Sequence, residues 1–214
     1  PVMQAQTVDD ATTNSRLRVL DAGEEAFSAF GFDGASMRVI ATSAGVSQSL
    51  LHYHFGTKAA LYRGVIERRA QSINAERLRR LKKVDVAAAD GLEQIFRALL
   101  GPPLEPLGGG MSYARIFAGV VAGGAREVAL VREFYDDTAR AFIDALVEAC
   151  PGVSRLNATR AYSMAIGVLA ISLTGDERNA RLAGSVPTKD RDELLTNIVT
   201  YVCGGFHALT KKPE

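Results

Sequence analysis

The sequence predicts an all-α protein. Apolar residues recur at helical spacings, as in Leu17, Leu20, Phe27 and Phe30. No stretch keeps the period-two alternation of a half-buried strand. Gly and Pro clusters punctuate the chain at helix-length intervals, at Gly101-Pro102-Pro103, Gly108–Gly110, Gly123-Gly124, Pro151-Gly152 and Gly184–Thr188.

Composition bounds the classes. The 214 residues are 47% apolar and 23% charged, which excludes a disordered chain and suits one or two domains. No continuous apolar run reaches the roughly 18–20 residues that cross a bilayer, and no signal-peptide pattern is present. Cys150 and Cys203 offer neither a disulfide framework nor metal-ligand spacing, so a reducing cytoplasm is the expected compartment. The net charge of +1 looks indifferent to nucleic acid, but it is unevenly spread. Residues 1–33 hold two basic against six acidic residues, a net −4. Residues 34–83 hold ten against two, a net +8, and the remainder 13 against 16, a net −3. Clustered Lys and Arg are a phosphate footprint or a solvated helix face, and Arg77–Lys83 fits either reading.

Taken in order, residues 1–13 are polar and aperiodic and are expected to form a flexible N-terminal arm. A first helix runs from Asn14 to a C-cap at Gly31, with Gly23 marking a close helix contact. Ser36 is placed to cap a short helix over 37–44, Gly45 to turn the chain, and Ser47 to cap a second short helix from Gln48 to about His54. Two short helices joined by a Gly-centred turn form a helix-turn-helix, here spanning 36–55. Ile40, Ala41, Ala44, Val46, Leu51 and Phe55 would pack it. Arg38, Gln48, Ser49, Leu50, Tyr53 and His54 would then face outward. Thr57 caps a longer helix reaching about Lys83, whose apolar face is Leu61, Tyr62, Val65 and Ile66. Further helices are expected near 90–100, 111–122, 127–149, 155–174 and 190–210.

From Val19 to Leu61 the chain resembles the TetR family of transcriptional regulators. The residues that carry the resemblance are Gly31-Phe32, Ser36-Met37, Ile40-Ala41, Ala44-Gly45-Val46-Ser47, His54-Phe55 and Lys58-Ala59-Ala60-Leu61. The resemblance implies a helix-turn-helix DNA-binding domain over 14–60, a connecting helix over 61–83, and a larger effector-binding and dimerisation domain over 84–214. It also implies a homodimer that represses transcription from a palindromic DNA operator and is released by a small-molecule effector. The chain departs from the family at one position: His52 stands where a phosphate-contacting Tyr is usual, and the tyrosine is at 53. Either residue can supply that contact.

A recognition helix presents its N-terminal side chains to base edges. Gln48 suits a bidentate pair with adenine, Arg38 one with guanine, and Leu50 or Tyr53 contact with a thymine methyl. Ser36, Ser47, Ser49, His54 and Lys58 suit phosphate positioning. His52 and His54, two residues apart, point to different sides of a helix, so neither a metal nor a cofactor is expected.

In the C-terminal half, Phe96, Met111, Tyr113, Phe117, Phe134, Phe142, Tyr162 and Met164 either fill a core or line an apolar cavity. Arg115, between apolar neighbours, would need an anionic partner if it pointed inward. The resemblance places the dimer interface on the last two long helices, whose small and branched residues are Ala165, Gly167, Ala170 and Ile171, with Ile198, Tyr201, Val202 and Gly205. No nucleophile elbow or carboxylate pair points to an enzyme. The competing readings are a helical small-molecule-binding protein and a redox-controlled regulator using Cys150 and Cys203. The expected effector is apolar or amphipathic.

Overall fold

The computed structural model describes residues 2–174, 176–186 and 190–210. Among them are eleven α-helices and no strand. They are α1 (Val2–Gly34), α2 (Met37–Ser43), α3 (Gln48–Phe55), α4 (Lys58–Leu81), α5 (Gly91–Leu100), α6 (Gly110–Ala122), α7 (Ala125–Phe134), α8 (Asp136–Ala149), α9 (Arg155–Thr174), α10 (Asp176–Ala183) and α11 (Arg191–Thr210). The chain divides into two compact units, residues 1–68 and 69–214. The division falls inside α4, so the first turns of the expected connecting helix belong to the N-terminal unit.

In the N-terminal unit, α1 begins at Val2 rather than Asn14, which replaces the expected arm over residues 2–13 with helix. No Gly or Pro interrupts the chain from Val2 to Ala22, and polar residues propagate a helix as well as apolar ones do. The missing apolar periodicity there speaks to burial, not to helicity. Gly31 breaks the helical geometry as expected, at φ 66°, although a further turn carries the element to Gly34. The buried face of α1 is Val19, Leu20, Ala22 and Phe27, while Leu17 and Phe30 are exposed. Gly23 does mark a close contact: a Cβ there would sit 3.4 Å from Leu61 and Val65 of α4. Ile40, Ala41, Leu51, Phe55, Leu61, Tyr62, Val65 and Ile66 complete the core. Phe27, Phe32 and Tyr62 add an edge-to-face ring cluster, with Tyr62 centroids 4.9 and 5.2 Å from the two phenylalanines. Each fully buried apolar side chain contributes about 1.5–3 kcal/mol.

In the C-terminal unit, α9 is the central helix, packed against α5, α6, α8 and α11. Its Ala158, Ala161, Ala165 and Ala170 are buried and let neighbouring helices approach closely. Over its 18 most apolar residues α9 reaches a mean hydropathy of 1.2, enough in length and composition for a membrane span. It nevertheless holds no continuous apolar run of that length, because polar residues are interspersed along it. One face of it, Ala158, Ala161, Ala165, Leu169, Ala170 and Leu173, is buried in the unit, while Leu156, Met164 and Ile171 are exposed.

Three local features differ from expectation. The helix expected over 127–149 is divided at Tyr135, whose backbone leaves helical geometry at φ −122° while its ring turns inward. No Gly or Pro announces that break. Residues 176–183 form α10, which had no apolar pattern to mark it. Gly108–Gly110, expected only as a break between helices, begins inside the second of two tight 3-10 turns, and a Cβ at buried Gly108 would collide with the Pro103 backbone. Of the expected break at Gly184–Thr188, Gly184 ends α10 at φ +65°, and Pro187 and Thr188 lie outside the described residues.

Candidate DNA-reading face and effector cavity

The helix-turn-helix forms through local chemistry. Ser47 caps α3 by accepting from the Leu50 N–H at 3.1 Å, and Thr57 caps α4 by accepting from the Ala60 N–H at 3.1 Å. Each satisfies one of the backbone donors that a helix start leaves unpaired. Ser36 stands at the N-cap of α2, but its side chain makes no capping bond. On α3, Leu51 and Phe55 face the core, and Gln48, Ser49, His52 and Tyr53 face solvent, with Leu50 half-buried. Tyr53 is 78% exposed, unusual for so large a ring. Arg38, Ser36 and Ser47 are exposed as well.

The two histidines diverge. His52 Nδ1 lies 2.7 Å from the Gly56 carbonyl, which can only accept, so Nδ1 carries the proton. His54 turns inward, contrary to the expected outward position. It is half-buried with Nε2 2.8 Å from Ser15 Oγ. The Ser15 hydroxyl gives its one proton to the Thr12 carbonyl, so His54 Nε2 is the donor of that bond. Burial, and then the nearby Arg16 charge, push the His54 pKa below the ordinary histidine value. His54 therefore joins α3 to α1 and is not a free phosphate ligand.

Lys58 is likewise not the free cation expected. Its Nζ donates to the Asp33 and Ala35 carbonyls, both at 3.1 Å, and lies 4.8 Å from the centre of the Phe32 ring. It ties the start of α4 to the end of α1 and the link that follows it, and so positions the motif. Much of the basic excess over 34–83 is neutralised locally. Arg68 binds Asp21 at 2.6 Å and Glu24 at 2.8 Å. Arg79 and Arg80 hold the Glu76 carboxyl down at about 2, and Arg80 also reaches Glu105 at 2.7 Å.

In the C-terminal unit a cavity of about 410 Å³ lies among α4, α6, α7, α8 and α9. Its wall is mainly apolar and includes Phe117, Val120, Val131, Ile143 and Ile166, with polar groups from Tyr135, Thr159, Tyr162 and Ser163. That size and mixture match a small-molecule site. Of the expected lining residues, Phe117 and Tyr162 reach this cavity, and Tyr113 stands behind it with its hydroxyl 2.6 Å from that of Tyr135. Phe96 and Phe142 are fully buried core residues, Phe96 packing edge-to-face on Phe206. Met111 and Met164 are exposed, and Phe134, outside the cavity lining, accepts from Asn74 Nδ2 through its carbonyl at 2.8 Å. Arg115 is exposed.

The inward arginine is Arg77. It is 1% exposed and lines the cavity, and its Nε donates to the Leu99 carbonyl at 2.8 Å. In the sequence it stands at the head of a basic run that fits a solvated helix face or a phosphate footprint. The signal lies in the spacing: the buried stripe Ala70, Ile73, Arg77 keeps helical periodicity and ends on the arginine.

The expected dimer residues divide. Ala165, Ala170, Ile198 and Val202 are buried within the subunit, whereas Ile171, Tyr201 and Gly205 are exposed and Gly167 is half-exposed. Cys150 and Cys203 are both free thiols, and burial pushes the Cys203 thiol up to about 11. A thiol so placed is a poor nucleophile, which weighs against redox control through Cys203.

Comparison with known proteins agrees with this division. Residues 19–65 match the family described as bacterial regulatory proteins, tetR family. Residues 94–205 match the tetracyclin repressor-like C-terminal domain. The transcriptional repressor AcnR of Corynebacterium glutamicum is 27% identical over 94 residues, 44% of this chain and 45% of AcnR. The regulator UidR of Escherichia coli is 42% identical over 52 residues, 24% of this chain and 26% of UidR. The chain thus matches under half the length of these relatives. Among solved structures, FadR of Bacillus subtilis in complex with stearoyl-CoA has a TM-score of 0.69 at 14% identity, over 88% of this chain and 98% of that one. A regulator from Aquifex aeolicus has a TM-score of 0.61 at 18% identity, over 88% and 98%. With family matches to both its parts, the chain belongs to the TetR family of DNA-binding transcriptional regulators.

Proposed function

We propose that the protein is a homodimeric repressor that binds a palindromic operator through α3 and leaves it when a small apolar or amphipathic molecule fills the cavity. The observation that carries this reading is the solvent face of α3, where Gln48, Ser49 and Tyr53 stand out over a core of Leu51 and Phe55. In this reading Gln48 reads a base edge, Arg38 reads guanine or grips a phosphate, and Tyr53 takes the tyrosine contact that His52 displaces. His52, tied to the Gly56 carbonyl, is the less free of the two. Exposed Met164, Ile171 and Tyr201 on α9 and α11 favour pairing of two subunits there. AcnR, similar over its matched part, is named a repressor, and FadR, similar in fold, is seen with the amphipathic stearoyl-CoA. The working compartment is the cytoplasm, where the operator would lie.

The test is selection of DNA from a random pool by the purified protein, followed by titration with salt. A two-fold symmetric site bound with a steep salt dependence is expected. Failure to enrich any site would overturn the reading.

A further inference from the structure

We propose that the effector carries a compact anion, a carboxylate on an otherwise apolar body, which pairs with Arg77 in the cavity wall. The inference rests on the reading of that cavity as the effector site. Arg77 is almost wholly buried, yet its guanidinium stays protonated in proteins, so a full positive charge sits inside the C-terminal unit. Part of its hydrogen-bonding capacity is met: Nε donates to the Leu99 carbonyl at 2.8 Å, and Nη1 to Asn74 Oδ1 at 3.2 Å. Leu99 lies in the last turn of α5, where unpaired carbonyls and the helix dipole favour a cation. Those bonds explain why an arginine is tolerated at this position. They do not use Nη2, which is buried and has no hydrogen-bond partner.

Neutral hydroxyls and one ion pair make up the other polar neighbours. Tyr135 and Tyr162 line the same cavity, and burial raises both of their pKa values, so they stay protonated. The Asp136 carboxylate also lines it, but Arg140 takes it at 3.4 Å, and no carboxylate among the described residues forms an ion pair with Arg77. A buried charge without a counter-ion is costly, and an anion brought by the ligand removes that cost. A carboxylate matches an N–H edge of the guanidinium, and the apolar wall of Phe117, Val131, Ile143 and Ile166 takes the rest of the molecule. A neutral ligand of the same shape would leave Nη2 as it is.

The experiment compares octanoate with 1-octanol, which share a chain and differ in charge. Binding to the full chain is measured at pH 7.5 by calorimetry, without DNA. Octanoate is expected to bind at least tenfold more tightly than octanol. In Arg77→Met the preference should vanish or reverse; an arginine that served structure alone would weaken both ligands and leave their ratio unchanged. Ala139→Trp, which fills the cavity and leaves Arg77 in place, should abolish octanoate binding. It keeps the test decisive if Arg77→Met does not fold. Equal affinities in the natural protein, absence of octanoate binding, or octanoate binding undiminished in Ala139→Trp would each overturn the proposal. Operator binding by the ligand-free protein separates the two readings, since it can succeed while the anion site fails.

Discussion

Ser15 Oγ on α1 and His54 Nε2 on α3 meet at 2.8 Å with Nε2 as the donor, so in the neutral His54 ring it is Nδ1 that lacks a proton. Adding a proton there means charging a half-buried ring close to Arg16. The folded pKa is depressed below the ordinary 6.5. The unfolded state therefore binds the proton first as pH falls. The stability tied to neutral His54 is complete above about pH 6.5 and is lost as pH drops through the lower folded value. Melting temperature should fall between pH 7.5 and 5.5, and His54→Gln, which keeps a donor toward Ser15 but does not titrate, should flatten that slope. An unchanged slope would mean that His54 is not the group responsible.

The reading face makes a different prediction. Gln48 and Tyr53 are exposed and belong to no core, so Gln48→Ala and Tyr53→Ala should change stability by less than about 0.5 kcal/mol. Each should nonetheless weaken operator binding, Gln48→Ala by about 1–3 kcal/mol for a lost base contact. Gel-shift titration alongside thermal melting separates the two effects.

Lys58 should behave oppositely. Lys58→Met removes two charge-assisted bonds to the Asp33 and Ala35 carbonyls and should cost about 1–2 kcal/mol of stability. Operator affinity should fall with it because the link between α1 and α2 loses its tether to α4. Loss of affinity at unchanged stability would instead identify Lys58 as a direct phosphate contact.

For subunit pairing, the exposed residues are the ones to change. The double variant Ile171→Glu, Tyr201→Glu places charge on the outer faces of α9 and α11 without entering the core. Sedimentation should show a dimer for the natural protein and a folded monomer for the variant. Ala165 and Val202, although on the same helices, are buried, so large substitutions there should unfold the unit instead.

Cys203, with its thiol at about 11, should be nearly inert. At pH 7 roughly one molecule in ten thousand carries the thiolate that reacts. In a Cys150→Ser background, alkylation should be slow until the protein unfolds. Rapid alkylation of the folded protein would restore the redox reading.

What the sequence determined by itself was the helical class and the N-terminal motif. Caps, turns and a buried stripe act between residues a few positions apart, so Ser47, Thr57, Leu51 and Phe55 could be assigned from spacing alone. The exposed positions of Gln48, Ser49 and Tyr53 followed from the same periodicity, whereas Leu50, also expected outward, is half-buried and His52 is exposed. The direction of His54 did not, because its partner Ser15 is 39 residues away. Nor did the task of Lys58, whose acceptors are backbone carbonyls at the far end of another helix. In the C-terminal unit composition placed aromatics on helices, but only packing decided that Phe142 fills the core while Phe117 and Tyr162 border a cavity. Tertiary structure also exchanged the arginines, leaving Arg115 in solvent and enclosing Arg77. Burial of a helix face depends on which helices cover it, and that is a property of the folded unit rather than of any local stretch of chain.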